Sequence, residues 1–128
     1  MRKVIVLLIL LILHVPCFGE DYSVDENGDY SVVLDEKGKH GLITFLVTID
    51  KKGVIKEVAI LKNREIRGGK INRKRFLGQF RGKSSNDAIK LKRDIHSVTG
   101  ATISSNAATK AARRALMMWE ELILKEEQ

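Results

Sequence analysis

Residues 42–49 constrain the fold most, because apolar and polar side chains alternate along them with the period of a β-strand. The side chains on one face are all large and apolar: Ile43, Phe45, Val47 and Ile49. Thr44 and Thr48 lie on the opposite face. A strand of this kind buries one face, so the rest of the chain must supply neighbouring strands and a layer that covers the apolar side.

Asp-x-x-Gly tetrads divide the first half of the chain. They occupy residues 25–28, 35–38 and 50–53. An Asp side chain can accept hydrogen bonds from its own turn and Gly adopts a positive φ, so each tetrad predicts a tight reversal. Strands are then predicted over residues 30–34, 42–49 and 54–61. Consecutive strands joined by tight turns form an antiparallel meander.

The second half of the chain carries helical patterns. Residues 106–124 place apolar side chains three and four positions apart, which predicts a long amphipathic helix. Its apolar face consists of Ala108, Ala111, Ala112, Ala115, Met118, Trp119 and Leu122. The alanines allow close approach to a sheet, and Ser104 or Ser105 is the predicted N-cap.

A second, short helix is predicted over residues 73–80, where Phe76, Leu77 and Phe80 recur at helical spacing before Gly82. Residues 88–91 are a candidate for one more short strand. The predicted fold class is therefore α+β, a small antiparallel sheet (meander) packed against a C-terminal helix and one short helix.

Residues 1–19 have the pattern of a secretory signal peptide. Arg2 and Lys3 precede an apolar run, and Cys17-Phe18-Gly19 resembles a cleavage site. We expect an N-terminal extension over 20–29, a domain over 30–128, and export to the periplasm or the outer face of the cytoplasmic membrane. The apolar run is shorter than the roughly 20 residues of a membrane span. A retained membrane anchor and a lipid-modified Cys17 are the alternatives.

Basic residues give the chain a net charge of +7 and cluster in its middle. The cluster comprises Arg64, Arg67, Lys70, Arg73, Lys74, Arg75, Arg81 and Lys83. No stacking aromatics interleave with it and the export signal directs the chain away from the genome, so nucleic acid is not an expected partner. The cluster is either a solvated face or a docking patch for an acidic partner or an anionic lipid surface.

Hydroxyl side chains surround a Gly-Ala pair just before the long helix. They belong to Ser97, Thr99, Thr102, Ser104 and Ser105. Capping a helix would account for one or two of them. The small side chains of Gly100 and Ala101 would also let an anion such as phosphate approach the backbone amides at the helix start. Thr102 would then present a hydroxyl that can bind a phosphate or become esterified to one.

Thr99-Gly100-Ala101-Thr102-Ile103-Ser104-Ser105, followed by an Ala-rich helix, resembles the flavinylation motif of the FMN-binding domain family. That family includes the covalent-flavin subunits of the sodium-pumping quinone reductase and of Rnf-type electron-transport complexes. The hairpin over 41–61, Glu65-x-x-Gly-Gly and Phe76-Leu77-Gly78-Gln79-Phe80-x-Gly82 follow the family's usual order. The resemblance covers roughly residues 30–121.

The resemblance implies that Thr102 carries FMN through a phosphoester. Thr99, Gly100, Ala101, Ile103 and Ser104 would line the phosphate and the ribityl chain. The family commonly has Asp three residues before the first Ser or Thr of the motif. This chain has His96 there, and Asp94 lies two positions earlier.

The resemblance further implies a redox carrier and not an enzyme. A separate Mg-dependent flavin transferase would attach the cofactor, using FAD as donor and releasing AMP. Unidentified redox proteins, membrane-bound ones among them, would exchange electrons with the bound FMN. No nucleophile is paired with a base, so no catalytic residue is assigned. Cys17 is the only cysteine and belongs to the signal, so neither a metal site nor an iron–sulfur cluster is expected.

Two other functions remain open from the sequence. One is a sensory or interaction module of the cell envelope that binds FMN reversibly. The other is an exported basic interaction domain without cofactor, in which the hydroxyl-rich turn serves only as a helix cap. Colour that survives denaturation distinguishes covalent FMN from both.

Overall fold

A computed structural model describes residues 22–63 and 74–127 and has the predicted α+β architecture. Its strands are β1 (Tyr22–Val24), β2 (Tyr30–Lys37), β3 (Leu42–Ile49) and β4 (Ile55–Asn63). A short helix α1 (Lys74–Leu77) continues into one 3₁₀ turn (Gly78–Phe80), and the long helix α2 spans Thr102–Glu127. The predicted signal peptide lies outside the described residues.

The four strands form one antiparallel sheet in the order β1-β2-β3-β4, which confirms the meander. The register places Val32 opposite Val47, and Val47 opposite Val58, so apolar side chains align on one face. Strand β3 has the bounds that its alternation predicts. The sequence patterns did not predict β1, which lies within the stretch assigned as an N-terminal extension.

Two of the three Asp-x-x-Gly tetrads form the predicted turns. In each, the Asp carboxylate accepts backbone N–H groups two and four residues later, at 2.8–2.9 Å from Asp25 and 2.8–3.0 Å from Asp50. The final glycines, Gly28 and Gly53, have φ of 86° and 87°. A side chain would be strained at such angles, which explains why glycine closes both turns.

The prediction of a turn over residues 35–38 is wrong. Strand β2 runs on to Lys37, and the reversal instead lies between Gly38 and Gly41, whose N–H and C=O are 2.8 Å apart. Asp35 does not fold back on its own backbone because its carboxylate accepts the hydroxyl of Thr44 across the strand pair at 2.5 Å. The cross-strand partner therefore outweighs the local turn preference.

Helix α2 covers the apolar face of β2 and β3. Its residues against the sheet are small and almost completely buried: Ala107, Ala108, Ala111, Ala112 and Ala115. Facing them, Phe45 and Leu34 are at most 1 % exposed. Small side chains let the helix backbone approach the sheet closely, so the strands supply most of the bulk of this core. Arg114 adds an ion pair with Glu36 of β2.

The predicted short helix is present but brief. Phe76 and Phe80 project from it into the core, with their rings edge-to-face at 5.6 Å. The chain after it is fastened to the start of β4, because Ile55 donates to the carbonyl of Lys83 at 2.8 Å and accepts from Gly82 at 2.9 Å. This segment therefore packs beside β4 while α2 covers β2 and β3.

The predicted strand over residues 88–91 is wrong, because there the structure has only a single bridge between Leu91 and Ile95. The Asp94 carboxylate, and not a neighbouring strand, holds the backbone of this loop. Within residues 22–63 and 74–127, no helix is both long and apolar enough to cross a membrane.

The turn between β3 and β4 gives a test of the packing between sheet and helix. A methyl group at Gly53 would lie 2.7 Å from two ring carbons of Trp119, whereas one at Gly82, which has nearly the same φ of 86°, would meet no atom within 4 Å. We predict that Gly53→Ala lowers the free energy of unfolding by about 2–4 kcal/mol and that Gly82→Ala lowers it by about 1–2 kcal/mol. Both substitutions strain the backbone, but only Gly53→Ala also overpacks the contact with Trp119. Urea denaturation of both variants measures the difference.

Trp119→Leu supplies the control for this comparison. In that background the excess cost of Gly53→Ala over Gly82→Ala should shrink, because the obstructing ring is gone. Equal costs for the two glycine substitutions in the natural background would contradict the contact between the turn and the helix.

Candidate functional site

The hydroxyl-rich stretch forms a tight turn that leads directly into α2. The Val98 carbonyl accepts the N–H of Ala101 at 2.9 Å, and Gly100 in the third position of the turn has φ of 80°. That angle is typical of a type II turn, which requires glycine at this position. Helix α2 begins at Thr102, immediately after the turn.

The prediction that Ser104 or Ser105 caps the helix is wrong, because α2 starts earlier and both serines lie buried in its first turn. The Ser105 N–H donates to the Ala101 carbonyl at 2.8 Å, which makes Ala101 the N-cap residue. The Ser105 hydroxyl donates to the same carbonyl at 2.6 Å and accepts the N–H of Val98 at 3.1 Å. It therefore ties both ends of the turn together.

An alanine at the N-cap has no side-chain oxygen to accept the N–H groups of Thr102 and Ile103. Ser, Thr, Asp or Asn at this position stabilises a helix by about 0.5–2 kcal/mol relative to Ala. The N-cap residue of α2 thus leaves the backbone N–H groups accessible to a ligand and does not cap them itself. A phosphate oxygen could take the place of the missing acceptor.

A cavity of about 590 Å³ adjoins this turn. Within the described residues, its walls come from two segments, the short helical region after β4 and the backbone leading into the turn. The described residues that line it are Arg75, Phe76, Gln79, His96, Ser97, Val98 and Thr99. We call it the site cavity. Its size lies within the range of about 300–1,000 Å³ that is typical of small-molecule sites.

The side chain of Gln79 holds the two walls of the site cavity together. Its Oε1 accepts the N–H of His96 at 2.7 Å, and its Nε2 donates to the His96 carbonyl at 3.0 Å. Nε2 also lies 3.2 Å from the carbonyl of Phe76. One amide thus satisfies both backbone groups of His96, as a neighbouring strand would, and fixes the segment that precedes the turn.

Asp94 organises the loop just before that segment. Its carboxylate accepts the N–H groups of Ile89 and Lys90, both at 2.9 Å, and lies 3.6 Å from the ammonium of Lys83. The loop includes two non-glycine residues with positive φ, Ile89 at 48° and Lys92 at 68°. Such conformations are uncommon and need outside support, which the Asp94 carboxylate provides.

The electrostatics of Asp94 agree with this structural role. Partial burial alone would raise the pKa of its carboxyl. Two influences outweigh burial: hydrogen bonds from the backbone N–H groups of Lys90, Ile89 and Asp94 itself, and the nearby Lys83 ammonium. The pKa of the Asp94 carboxyl therefore lies below its ordinary value. A second tie comes from α2, where Arg113 donates to the Ile89 carbonyl at 2.7 Å. The loop is therefore anchored both internally and to the helix.

The structure places the predicted site residues along one continuous stretch with different surroundings. Thr99 lines the site cavity, and Gly100 and Ala101 form the turn. Thr102 and Ile103 are exposed at the start of α2, with Ile103 at 53 %, while Ser104 is buried.

The sequence patterns did not place the residues of the opposite wall, Arg75, Phe76 and Gln79, at the site. Phe76 was predicted only as an apolar residue of the short helix, and Arg75 only as part of the basic cluster. The signal that could have found Phe76 and Gln79 is the stretch Phe76-Leu77-Gly78-Gln79-Phe80, which resembles the family in its order along the chain. That order indicates membership of the family, but it does not indicate which side chains line the cavity. The Glu65-x-x-Gly-Gly loop lies outside the described residues.

Comparison with known proteins gives two findings. The family model of the FMN-binding domain matches residues 38–117, from the turn before β3 to well inside α2. Over 95 residues the chain is 34% identical to a subunit of the proton-translocating ferredoxin:NAD(+) oxidoreductase complex of Clostridium ljungdahlii. That match covers 68% of this chain and 51% of the relative, so the chain spans about half of the relative's length.

Asp94 provides a pH-dependent test of the loop. Because its folded-state pKa lies below the unfolded value of about 3.9, its stabilisation is complete above that value and is lost as the pH falls through the folded-state pKa. We predict that Asp94→Asn destabilises the domain by about 1–3 kcal/mol at pH 7, with the same difference at pH 5 and a smaller one below about pH 4. Urea denaturation at several pH values measures this.

Asp87→Asn is the matched control, because the Asp87 carboxylate accepts one backbone N–H, from Ser84 at 2.8 Å, in a neighbouring turn. It should cost less at pH 7 than Asp94→Asn. A difference between the natural chain and Asp94→Asn that stays constant down to pH 2 would show that the charge of the carboxylate is not what holds the loop.

Proposed function

The chain belongs to the FMN-binding domain family, and we propose on that basis that it is an electron-transfer protein that carries FMN as a phosphoester on Thr102. FMN is the cofactor that the family assignment supports. The covalent attachment, the electron partners and the location of the chain form part of the proposal. The observation that carries the attachment is the exposed Thr102 directly after an N-cap that lacks a capping oxygen.

The residues present fit an FMN phosphate at the start of α2. Gly100 and Ala101 offer little side-chain bulk, so phosphate oxygens could reach the first amides of the helix. The positive end of the helix dipole would stabilise the negative charge of the phosphodiester. Ser105, which holds the turn at 2.6 and 3.1 Å, would keep these amides in place without competing for the phosphate.

The site cavity fits the other end of the cofactor. Thr99 belongs both to the motif and to the cavity wall, so the cavity opens next to the place proposed for the phosphate. Phe76, which lines the cavity although its side chain is only 3 % exposed, would add an apolar contact to the ring. In this arrangement the ribityl chain would run from Thr102 past Thr99 toward Phe76.

Attachment would proceed as a phosphoryl transfer from FAD. The Thr102 oxygen would form a bond to the phosphorus on the FMN side of FAD, the bond from that phosphorus to the bridging oxygen of the diphosphate would break, and AMP would leave with that oxygen. The hydroxyl proton would be released. A separate Mg-dependent flavin transferase would catalyse this step, and this chain would be its substrate. The exposure of Thr102 supports the proposal, because a second enzyme must reach the hydroxyl.

Bound FMN would supply one- and two-electron redox chemistry, and the chain would hold and orient it. The relative's name assigns it to a proton-translocating complex that acts as a ferredoxin:NAD(+) oxidoreductase. By analogy we propose that this chain passes electrons to or from other redox proteins at a membrane. Export to the periplasm or the outer face of the cytoplasmic membrane would favour a covalent bond, since a dissociated cofactor would be lost there.

The Thr102 hydroxyl gives the direct test. We predict that the chain co-expressed with a flavin transferase gains the mass of one FMN less one water and is fluorescent in a denaturing gel. Thr102→Ala should remove both signals while leaving the unfolding free energy within about 0.5 kcal/mol, because Thr102 is exposed. Intact mass spectrometry and gel fluorescence measure the outcome.

Thr99→Ala is the matched control, since it removes a neighbouring hydroxyl of the same motif. It should keep the covalent flavin. Loss of the flavin in Thr99→Ala but not in Thr102→Ala would move the attachment to Thr99. Natural chain that binds FMN and releases it on denaturation would support the reversible sensory module instead.

A further inference from the structure

The short helical region after β4 separates two cavities. Arg75, Phe76 and Gln79 line the site cavity. A second cavity, of about 650 Å³, lies against β4. The same helical region contributes Lys74, Leu77, Gly78 and Arg81 to that second cavity. Two adjacent cations, Lys74 and Arg75, therefore belong to different cavities.

Arg75 is the permanently charged side chain among the described residues that line the site cavity. The other polar groups there are neutral hydroxyls, the His96 imidazole and the Gln79 amide. That amide is already committed to the backbone of His96 and Phe76. The Asp94 carboxylate, in the loop that precedes the cavity wall, is engaged by Lys83 and two backbone amides. The charge of Arg75 is therefore available to a ligand in the cavity.

We propose that Arg75 raises the reduction potential of the flavin held in the site cavity, an inference that rests on the proposed function. Two-electron reduction of the ring with uptake of one proton leaves one negative charge on the ring. The electrons come from the protein partner, or from a chemical reductant in the test. The exposed guanidinium of Arg75 at the cavity wall would stabilise the charged, reduced form more than the neutral, oxidised form.

Arginine suits this role better than lysine. Its planar group can donate two parallel hydrogen bonds to adjacent acceptors, such as the nitrogen and carbonyl oxygen on the pyrimidine side of a flavin ring. It also keeps its charge at every accessible pH. Since Arg75 is exposed, salt should weaken its effect.

The test measures the reduction potential of the covalently loaded protein by spectroscopic titration with dithionite. Arg75→Gln should lower the equilibrium constant for two-electron reduction of the flavin by about tenfold, which corresponds to a reduction potential lower by about 30 mV. Arg75→Lys should retain part of the effect, and the shift should shrink at high salt. Lys74→Gln is the matched control, because it removes the same charge one residue away on the other cavity, and it should change the potential little.

A second measurement does not need a loaded protein. In a Thr102→Ala background, free FMN is titrated in its oxidised and in its dithionite-reduced form, with absorbance as the readout. Arg75→Gln should weaken binding of reduced FMN about tenfold more than binding of oxidised FMN, because the two affinities and the potential belong to one thermodynamic cycle. Circular dichroism confirms that the variant is folded.

The outcomes separate this inference from the proposed function. If the natural chain loads flavin but Arg75→Gln has an unchanged potential, the role of Arg75 is wrong and the function stands. An equal shift in Lys74→Gln also overturns the role, since it would reflect net charge alone. If no flavin is bound in either form under any condition, both the proposed function and the role of Arg75 are wrong.

Discussion

The close packing of the alanine face of α2 on the sheet is the interaction on which the rest of the structure depends. Five alanines between Ala107 and Ala115 are buried against β2 and β3. Because they have almost no rotameric freedom, they fix the helix at little entropic cost. The start of α2, and with it the turn that precedes Thr102, is therefore held in a defined position relative to the sheet.

The second wall of the site combines apolar packing, from the buried Phe76 and Phe80, with polar ties. Gln79 pairs with both backbone groups of His96, Asp94 holds two amides of the preceding loop, and Arg113 joins that loop to α2. The bonds of Gln79 and Arg113 join residues that are 17 and 24 positions apart, whereas the bonds of Asp94 stay within its own loop. Supporting hydrogen bonds of this kind hold the residues of a binding site in place.

The parts of the fold that follow from local patterns could be predicted from the sequence, and the parts that depend on distant partners could not. The alternation in β3 defined its bounds, and the tetrads at Asp25 and Asp50 marked two turns, because in each case a residue interacts with its own neighbours. The tetrad at Asp35 failed where Thr44 of the adjacent strand captured the carboxylate. Strand β1 was missed because three residues are too few to show a strand's periodicity.

The same distinction applies to the site. The contiguous motif around Thr102 was found from the sequence, and its resemblance to the FMN-binding domain family is confirmed. The opposite wall could not be derived, since the hydrogen bonds between Gln79 and His96 join residues 17 positions apart and have no local signature.

The central spatial claim is that the start of α2 holds the FMN phosphate while the site cavity holds the ring. A crystal structure of the chain loaded by a flavin transferase tests it most directly. We expect a phosphoester on the Thr102 oxygen, phosphate oxygens on the first amides of α2, and the ring between Arg75 and Thr99. A ring in the second cavity beside Lys74, or a phosphate far from the first turn of α2, would contradict the claim.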